Sequence, residues 1–334
     1  MKRFLALIIC IFSCVLAVSF TACGDYEGKN GTVSVKYYAS GADMLPLLKK
    51  GELTIGLLPE PAATQLTNIS DKTWYRLDVQ ELYDSQLKSY PQAVMLVKES
   101  LLASKPQLVN AIASEFETNV AWVKSNPAQA VNAVNGALAE GVTASLKAPV
   151  ITSQVVDNCK IYWQSAQDAK EQVKDYIDTI IEIDENAGAV VNDDLFYNGT
   201  ASGSFDKGTI KVIAPDGAPA LAIAKFIYDN QTFGTNKTFE YSVVASTNIG
   251  GAVAQGTGDI VIIPVNAASK LYKAKGYKMV SVVTHGNLYL MSTEKIESVL
   301  ELKDKTIGVI GQGLVPDLTF KAILKDNLML TNPA

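Results

Sequence analysis

Residues 209–227 read TIKVIAPDGAPALAIAKFI, and residues 306–324 read TIGVIGQGLVPDLTFKAIL. Each stretch begins with an apolar run, continues through a loop that contains glycine and proline, and ends in apolar positions at helical spacing. The pattern predicts a β-strand, a loop and an α-helix, and we call it unit A. Because the strands are apolar almost throughout, we expect them in a parallel sheet that is covered on both faces.

A second pair of similar stretches, unit B, occupies residues 241–271 and 35–66. They read YSVVASTNIGGAVAQGTGDIVIIPVNAASKL and VKYYASGADMLPLLKKGELTIGLLPEPAATQL. Each has a β-rich run ending in Ala-Ser, a helical stretch, a Gly-Asp or Gly-Glu turn, an apolar strand, and a second helix opened by proline. Self-similarity of this kind predicts two lobes of like construction.

The order of the units differs between the two lobes. Unit A at 209–227 is followed by unit B at 241–271, whereas the other unit A lies near the C-terminus and its unit B lies near the N-terminus. Joining Ala334 to Val33 would restore the order A, B. We therefore predict a circular permutation of a two-lobed ancestor, with the break inside the second lobe. The alternatives are generic βα similarity and a rearranged gene.

The predicted fold class is α/β with two lobes, each a mostly parallel sheet flanked by helices. In the helical block we predict helices over 106–125, 127–138, 152–166 and 169–183. The predicted segments are a signal peptide at 1–22, a tether at 23–32, a second-lobe portion at 33–95, a helical block packing on the lobes at 96–185, a connector at 186–207, the first lobe at 208–290, and the interlobe crossing with the rest of the second lobe at 291–334.

Composition excludes several classes of function. The 334 residues carry a formal net charge of -5, so the chain lacks the basic surface typical of nucleic-acid binding. The chain has one histidine, His285, which excludes a site built from several histidine ligands. We expect no cofactor.

The N-terminus has the pattern of an export signal. A basic start, Met1-Lys2-Arg3, precedes an apolar run that ends in Phe20-Thr21-Ala22-Cys23. This ending resembles the bacterial lipobox, which implies that Cys23 becomes acylated and anchors the protein to the outer face of the membrane. The alternative is an ordinary cleaved signal. Cys10 and Cys14 would leave with the signal, so Cys159 is expected as a lone buried thiol.

Six runs resemble the solute-binding proteins of ABC importers, in the group that binds nitrate, sulfonates, taurine and thiamine precursors. They are IKVIAPDGAPALAIAKF, STNIG, GDIVIIPVNAASKLY, VVTHGNLYL, LKDKTIGVIGQGLVPDLTFKAIL and GELTIGLLPEPAATQL, in family order after one cyclic shift. Taken as 208–334 followed by 33–185, the resemblance covers nearly the whole mature chain. It implies a type II periplasmic-binding-protein-like fold, a small-molecule solute in the interlobe cleft, closure about a hinge, and docking on an ABC permease.

The loops beyond the carboxyl ends of the strands are the predicted ligand contacts, because ligands of open α/β sheets bind there. Helix N-termini at these loops offer N–H groups and partial positive charge, so they could hold an anionic or polar solute without a charged side chain. The candidates are Asp216, Gly217, Ala218, Pro219, Ser246, Thr247, Asn248 and Asn266 in the first lobe, Ser40, Gly41, Glu60, Gly311, Gln312 and Gly313 in the second, and His285 before the crossing.

Other roles are open for some of these residues. Ser40, Ser246 and Thr247 could simply cap helices, and His285 could be a loop histidine bonded within the protein. The sequence Gly311-Gln312-Gly313 resembles part of a phosphate-binding loop, but no GK[ST] follows, so nucleotide binding is not expected.

Two other functions compete with transport. One is an enzyme like the thiamine-pyrimidine synthases, which use their own histidine, although these are cytosolic and carry a cysteine-rich iron motif. The other is a sensor or adhesion module with the same fold and no transport. A lipid-anchored solute-binding protein, which is not an enzyme, agrees best with the signal and the single mature thiol.

Overall fold

The computed structural model describes residues 31–38, 41–84 and 88–331. Cys23 and Ser40 lie outside the described residues. Within them, no helix has the length and apolar character needed to cross a membrane. The strands are β1 (Thr32–Tyr38), β2 (Ile55–Pro59), β3 (Tyr75–Asp78), β4 (Pro91–Lys98), β5 (Ile161–Ser165), β6 (Thr209–Pro215), β7 (Thr238–Val244), β8 (Ile260–Pro264), β9 (Tyr277–His285), β10 (Leu288–Ser292), β11 (Thr306–Ile310) and β12 (Met329–Thr331).

The helices alternate with these strands along most of the chain. They are α1 (Gly41–Lys50), α2 (Ala62–Ile69), α3 (Val79–Tyr83), α4 (Glu99–Ser104), α5 (Leu108–Ser125), α6 (Pro127–Gly136), α7 (Ser153–Asn158), α8 (Lys170–Ile183), α9 (Ala218–Leu221), α10 (Ala224–Tyr228), α11 (Ile249–Gln255), α12 (Val265–Leu271) and α13 (Val315–Leu324).

The first lobe is built on a sheet with the strand order β5-β9-β4-β8-β6-β7. Strands β6, β7 and β8 pair in parallel. Strand β4 lies between β8 and β9 and runs antiparallel to both, and β5 is antiparallel to β9. The sheet therefore has four strands in one direction and two, β4 and β5, in the other.

The second lobe is built on a sheet with the strand order β12-β1-β11-β2-β10-β3. Strands β12, β1, β11 and β2 pair in parallel, and β10 runs antiparallel to its neighbours β2 and β3. In the pairing of β1 with β12, Val33 lies opposite Leu330. Segments from near both ends of the chain thus share one sheet.

The two sheets have a common plan. In the first lobe, unit A comprises β6, α9 and α10, and unit B comprises β7, α11, β8 and α12. In the second lobe, unit A comprises β11 and α13, and unit B comprises β1, α1, β2 and α2. The corresponding strands then lie in the same order, which is β7-β6-β8-β4-β9 in the first lobe and β1-β11-β2-β10-β3 in the second. In each sheet the fourth of these strands, β4 or β10, is the one that follows a crossing from the other lobe. The predicted two-lobed α/β class and both repeat units are confirmed.

Among the described residues, three hydrophobic cores hold these layers together. One lies within the first lobe, between its sheet and helices α4 to α7, α9 and α10. A smaller one lies between α1, α2 and the second-lobe sheet. The third is continuous through both lobes, where Val173 and Ile177 of α8 join a cluster that includes Leu318 of α13 and Val265 of α12. Helix α8 therefore connects the lobes.

Some sequence expectations need correction. The helix expected over 152–166 is instead the short α7 followed by β5, and Lys160 between them has a positive φ of 51°. That left-handed backbone ends the helix. Two predicted boundaries, after residues 95 and 290, fall inside β4 and β10. The expectation for Cys159 is confirmed, since the thiol is free and buried.

The segment predicted as a connector, 186–207, packs against the first lobe. Leu195 and Phe196 are buried, and Tyr197 donates its backbone N–H to Met279 O. The segment ends at Lys207, which approaches the buried Asp259. It is therefore a fixed part of that lobe's surface.

Candidate functional site

The chain crosses between the lobes twice, and the two crossings lie side by side. One is Gly286-Asn287, between β9 and β10, and the other precedes β4. The Gly286 N–H donates to Tyr90 O at 2.9 Å, which joins the crossings. A Cβ at Gly286 would lie 2.4 Å from the Tyr90 ring, so only glycine fits here. Two adjacent connections of this kind can act as a hinge.

Three helix N-termini at the predicted loops already hold carboxylates of the protein itself. Asp216 accepts hydrogen bonds from the Gly217 N–H at 2.9 Å and the Ser145 N–H at 2.7 Å. Asp317 accepts from the Gly313 N–H at 2.8 Å. At α2, Glu60 accepts from the Thr64 N–H at 3.1 Å.

These carboxylates change the expectation for the glycine loops. The Gly311 N–H donates to Tyr38 O, so both glycine N–H groups of the second-lobe loop are bonded within the protein. Ala218 and Pro219 lie in the short helix α9 beyond Gly217, whose φ of 109° requires glycine. Anion binding at these two N-termini would have to displace a carboxylate.

The hydroxyl and amide groups that follow β7 are exposed. Ser246, Thr247 and Asn248 form a single 3-10 turn, and no side chain caps the helix α11 that follows. The alternative that Ser246 or Thr247 caps this helix is therefore wrong. Their polar side chains are accessible to a solute.

Asn266 and Gly313, two candidates from opposite lobes, come together. The Asn266 Nδ2 donates to Ala187 O at 3.1 Å and to Gly313 O at 3.5 Å. Asn266 is buried, and its Oδ1 has no hydrogen-bond partner among the described residues. The loop after β8 in the first lobe thus contacts the loop after β11 in the second. Gln312, next to Gly313, is exposed.

The side chains of Glu60, Arg76, Asn158 and Tyr289 form a second contact between the lobes, and the Asn287 carbonyl accepts the Glu60 N–H beside them. We call these five residues the junction cluster. The buried Glu60 carboxylate binds Arg76 Nη2 at 2.6 Å through Oε1. Asn158, from α7 of the first lobe, donates to the same oxygen at 3.4 Å. The Arg76 guanidinium lies 3.4 Å above the centre of the Tyr289 ring. Pairing offsets the large cost of burying the carboxylate.

The His285 ring contacts two residues of β5 in the first lobe. Its ring stacks on Tyr162 at 3.6 Å, and its Nε2 lies 3.0 Å from Gln164 Oε1. Burial lowers the pKa of His285 to about 3, and the nearby Lys160 carbonyl opposes only part of this effect. The imidazole is therefore neutral at physiological pH and can contribute hydrogen bonds but no charge. Its Nδ1 is buried, and none of the residues that the structure describes forms a hydrogen bond with it.

Gly41 brings the second-lobe loops into contact. A Cβ at Gly41 would lie 3.6 Å from Ala62 Cβ and 3.7 Å from Ile310 Cδ1. The loops after β1, β2 and β11 therefore converge at one edge of this sheet, as the sequence predicted for the second lobe.

Sequence reasoning missed three members of the junction cluster. Arg76, Asn158 and Asn287 were not among the candidate residues, although Glu60 was. One signal was present, because Arg76 is the only arginine after Arg3 in the chain. An arginine that has no other arginine after residue 3 and that lies against a buried carboxylate marks an unusual site.

A surface depression of about 360 Å³ lies elsewhere on the second lobe. Glu52, Thr54, Glu294 and Lys305 line it, near the amino ends of β2 and β11. Ligands of parallel sheets bind at the opposite, carboxyl edge. The depression therefore lies away from the loops at the carboxyl ends of the strands.

No family model matches this chain, and no curated protein matches it. Solved structures do match. The ABC transporter substrate-binding protein CtaP from Listeria monocytogenes is 10% identical, with a TM-score of 0.32, and the match covers 84% of this chain and 58% of that one. NikA from Brucella suis, in complex with Fe(III)-EDTA, is 9% identical, with a TM-score of 0.29 and coverage of 78% and 57%.

The oligopeptide-binding protein AppA from Bacillus subtilis, in complex with a nonapeptide, is 7% identical, with a TM-score of 0.28. The match covers 76% of this chain and 54% of AppA. The chain therefore spans little more than half the length of these structures. At such TM-scores the backbones do not superpose as wholes, and no residue role is transferred from these proteins.

Proposed function

We propose that this chain is the solute-binding protein of an ABC importer, which holds a small polar or anionic organic solute between its lobes and delivers it to a permease. One observation carries the proposal: two lobes of the same strand order are joined by two adjacent crossings, and polar loops of both meet. This arrangement allows hinge closure around a solute.

The proposed location is the outer face of the membrane, with Cys23 acylated and residues 1–22 removed. The polar stretch DYEGKNGT at 25–32 would then serve as a tether between the lipid and β1. Mass spectrometry of the membrane-bound protein should show a chain that begins at a lipid-modified Cys23. A mature chain without lipid would contradict the anchor and leave the binding function open.

The proposed origin of the chain order is circular permutation. It is supported by the second-lobe sheet, in which the strand equivalent to β6 is β11 and the strand equivalent to β7 is β1. These strands lie side by side although nearly the whole chain separates them.

Solute binding is tested with the chain from residue 24 onward, which is the mature chain without its lipid-bearing Cys23, in a thermal-shift screen of taurine, other sulfonates, nitrate, pyrimidines, carboxamides and riboflavin-like compounds. A true solute should raise the Tm in proportion to RT ln(1 + [L]/Kd). Small-angle scattering should show a smaller radius of gyration when it binds. No rise with any compound at millimolar concentration would contradict the proposal.

A pair of exposed threonines provides a matched control. Thr247 lies in the loop after β7, whereas Thr257 lies at the other end of α11, where its hydroxyl donates to Ala252 O. Thr247→Ala should reduce the thermal shift caused by the solute. Thr257→Ala should leave it unchanged.

No observation favours a catalytic function. The chain's one imidazole is stacked, buried and neutral, so its pKa of about 3 makes it a weak base at physiological pH. We therefore propose binding without catalysis.

A further inference from the structure

The charged side chains at the strand-end loops disfavour an anionic solute. The N-termini of α9, α2 and α13 lie at strand-end loops, and Asp216, Glu60 and Asp317 respectively bind N–H groups there. A bound anion would lie near these carboxylates and would lose the free N–H groups that usually attract anions to helix ends. These three loops are thus arranged against a further negative charge.

The junction cluster supplies no spare positive charge. Its one cation, Arg76, is bound to Glu60 at 2.6 Å and lies on the Tyr289 ring. The pair is neutral as a whole, and the neighbouring His285 is neutral as well. An anion entering here would have to compete with a buried carboxylate for a guanidinium that is already bound.

Asn287 has both a free donor and a free acceptor at this position. It is fully buried, and neither its Oδ1 nor its Nδ2 has a hydrogen-bond partner among the described residues. Both atoms are unpartnered, so the conclusion does not depend on which way the amide is turned. A buried amide that forms no hydrogen bond is costly and rare in proteins.

The backbone places Asn287 beside the rest of the cluster. Asn287 O accepts the Glu60 N–H at 3.0 Å, and the next pair along the ladder is Leu288 with Pro59. Tyr289 packs in the core beneath α1 and α2, whereas Leu288 packs in the core that both lobes share. Because side chains alternate along a strand, Asn287 lies on the face of Tyr289.

We infer that the solute is uncharged and carries a hydrogen-bond donor beside an acceptor, as a carboxamide or a lactam does, and that Asn287 is the residue that selects it. This inference rests on the proposed solute-binding function and names its substrate class. A carboxamide or lactam edge satisfies both atoms of the Asn287 amide at once, whereas a carboxylate or sulfonate satisfies the donor alone.

The test compares matched probes of nearly identical shape: nicotinamide with nicotinate, and benzamide with benzoate and benzenesulfonate. We expect the two carboxamides to raise the Tm of the mature chain at millimolar concentration and the three anions to leave it unchanged. In Asn287→Leu, which keeps the branching and the number of side-chain heavy atoms but removes the donor and the acceptor, the shift with carboxamides should disappear.

The ligand-free Tm separates a binding role from a structural one. Because Asn287→Leu removes an unpartnered buried amide, its ligand-free Tm should equal that of the wild type or exceed it by about 2–4 °C. The matched control is Ser281→Ala in the middle of β9, since Ser281 Oγ is also buried and finds no hydrogen-bond partner in the described part of the chain. Ser281→Ala should raise the ligand-free Tm by a similar amount and should still show the rise in Tm with carboxamides.

The failures are distinguishable. Stabilisation by the anions alone, unaffected by Asn287→Leu, would overturn the inference and leave the solute-binding function standing. A lower ligand-free Tm in Asn287→Leu with the carboxamide shift intact would show that Asn287 is structural. If neither these probes nor any compound of the wider screen shifts the Tm, the inference and the proposed function both fail.

Discussion

The first lobe takes its first, second and third strands from one uninterrupted segment, whereas the second lobe takes them from opposite ends of the chain. Both nevertheless arrange these strands and their helices in the same spatial order. The comparison teaches that the apolar pattern of each βα unit specifies where the unit packs, and that the covalent order in which units follow one another matters less.

The lobes also differ at one corresponding turn. Asp259 follows Gly258 before β8 and is buried, where Lys98 and Lys207 each approach it at 2.9 Å and the Lys211 N–H donates to it at 3.0 Å. Its second-lobe counterpart, Glu52 after Gly51, is exposed and 3.7 Å from Lys50. We expect the buried network to matter far more for stability than the exposed pair.

The largest expected effect sharpens that difference. Asp259→Ala should lower the free energy of unfolding by about 3 kcal/mol, because it leaves the largely buried Lys98 ammonium and the Lys211 N–H without their acceptor. Glu52→Ala should lower it by less than about 1 kcal/mol. Urea denaturation measures both, and equal effects would contradict the comparison.

The same network has a pH signature. Burial raises the pKa of Asp259, but the hydrogen bonds from the Lys211 N–H, Lys98 and Lys207 outweigh it and lower the pKa overall. The stabilisation is therefore present above the unfolded pKa of about 3.9 and is lost as the pH falls through the lower folded value. Asp259→Ala should remove this part of the acid sensitivity.

The crossing that both lobes share is the next test. Gly286→Ala should destabilise the fold by about 3 kcal/mol, because the added methyl group would clash with Tyr90, which is itself stacked on Tyr176. Gly136→Ala is the control, since nothing lies within 4 Å of its Cβ position at the end of α6. It should be neutral or stabilising by up to about 1 kcal/mol. Equal stability of the two variants would show that the crossings are loosely packed.

The single histidine gives a third prediction. The pKa of His285 falls to about 3 in the folded state, whereas it is about 6.5 in an unfolded chain. Because the unfolded state then binds the proton first, stability is complete above pH 6.5 and decreases by about 2 kcal/mol between pH 6.5 and pH 5. Urea denaturation of the wild type and of His285→Gln measures this. An equal slope in the variant would show that His285 is not buried as described.

The smallest effect is expected from changing the chain order. Residues 200–334 followed by 31–199 should fold to within about 1 kcal/mol of the original chain. Since Thr32 lies opposite Met329, Thr331 and Thr32 are roughly 8 Å apart, and residues 332–334 with Gly31 can span that gap. A second variant has the same junction between residues 334 and 31 but begins at Ile213 and ends at Val212, so that the new termini lie inside β6. This variant should not fold. Loss of folding in the first variant would contradict the permutation.

Much of this architecture was predictable from the sequence because it is local. Each βα unit carries its own apolar strand, its glycine loop and its helix within a few tens of residues, so units A and B could be recognised. The positions of the loops after β6, β7, β8 and β11 were predicted from these units. Most of the candidate residues lie in those loops.

The junction cluster was not predictable in this way. Glu60 and Arg76 meet only because β10, from much later in the chain, lies between β2 and β3. Nothing local in either segment indicates that insertion. The same reason explains β5, whose residues 161–165 have enough apolar character to resemble the continuation of α7 and become a strand by pairing with β9.

Amide hydrogen exchange on the intact chain reports whether β1, β11 and β12 share one sheet. If β1, β11 and β12 form one sheet, the amides of Val33, Val35 and Ile307 should be protected by similar opening free energies and should lose protection together. Deletion of residues 326–334 should lower the protection of β1 and leave that of β6 unchanged. Exchange of β1 at the rate of an unfolded chain, while β11 stays protected, would contradict a lobe assembled from both ends.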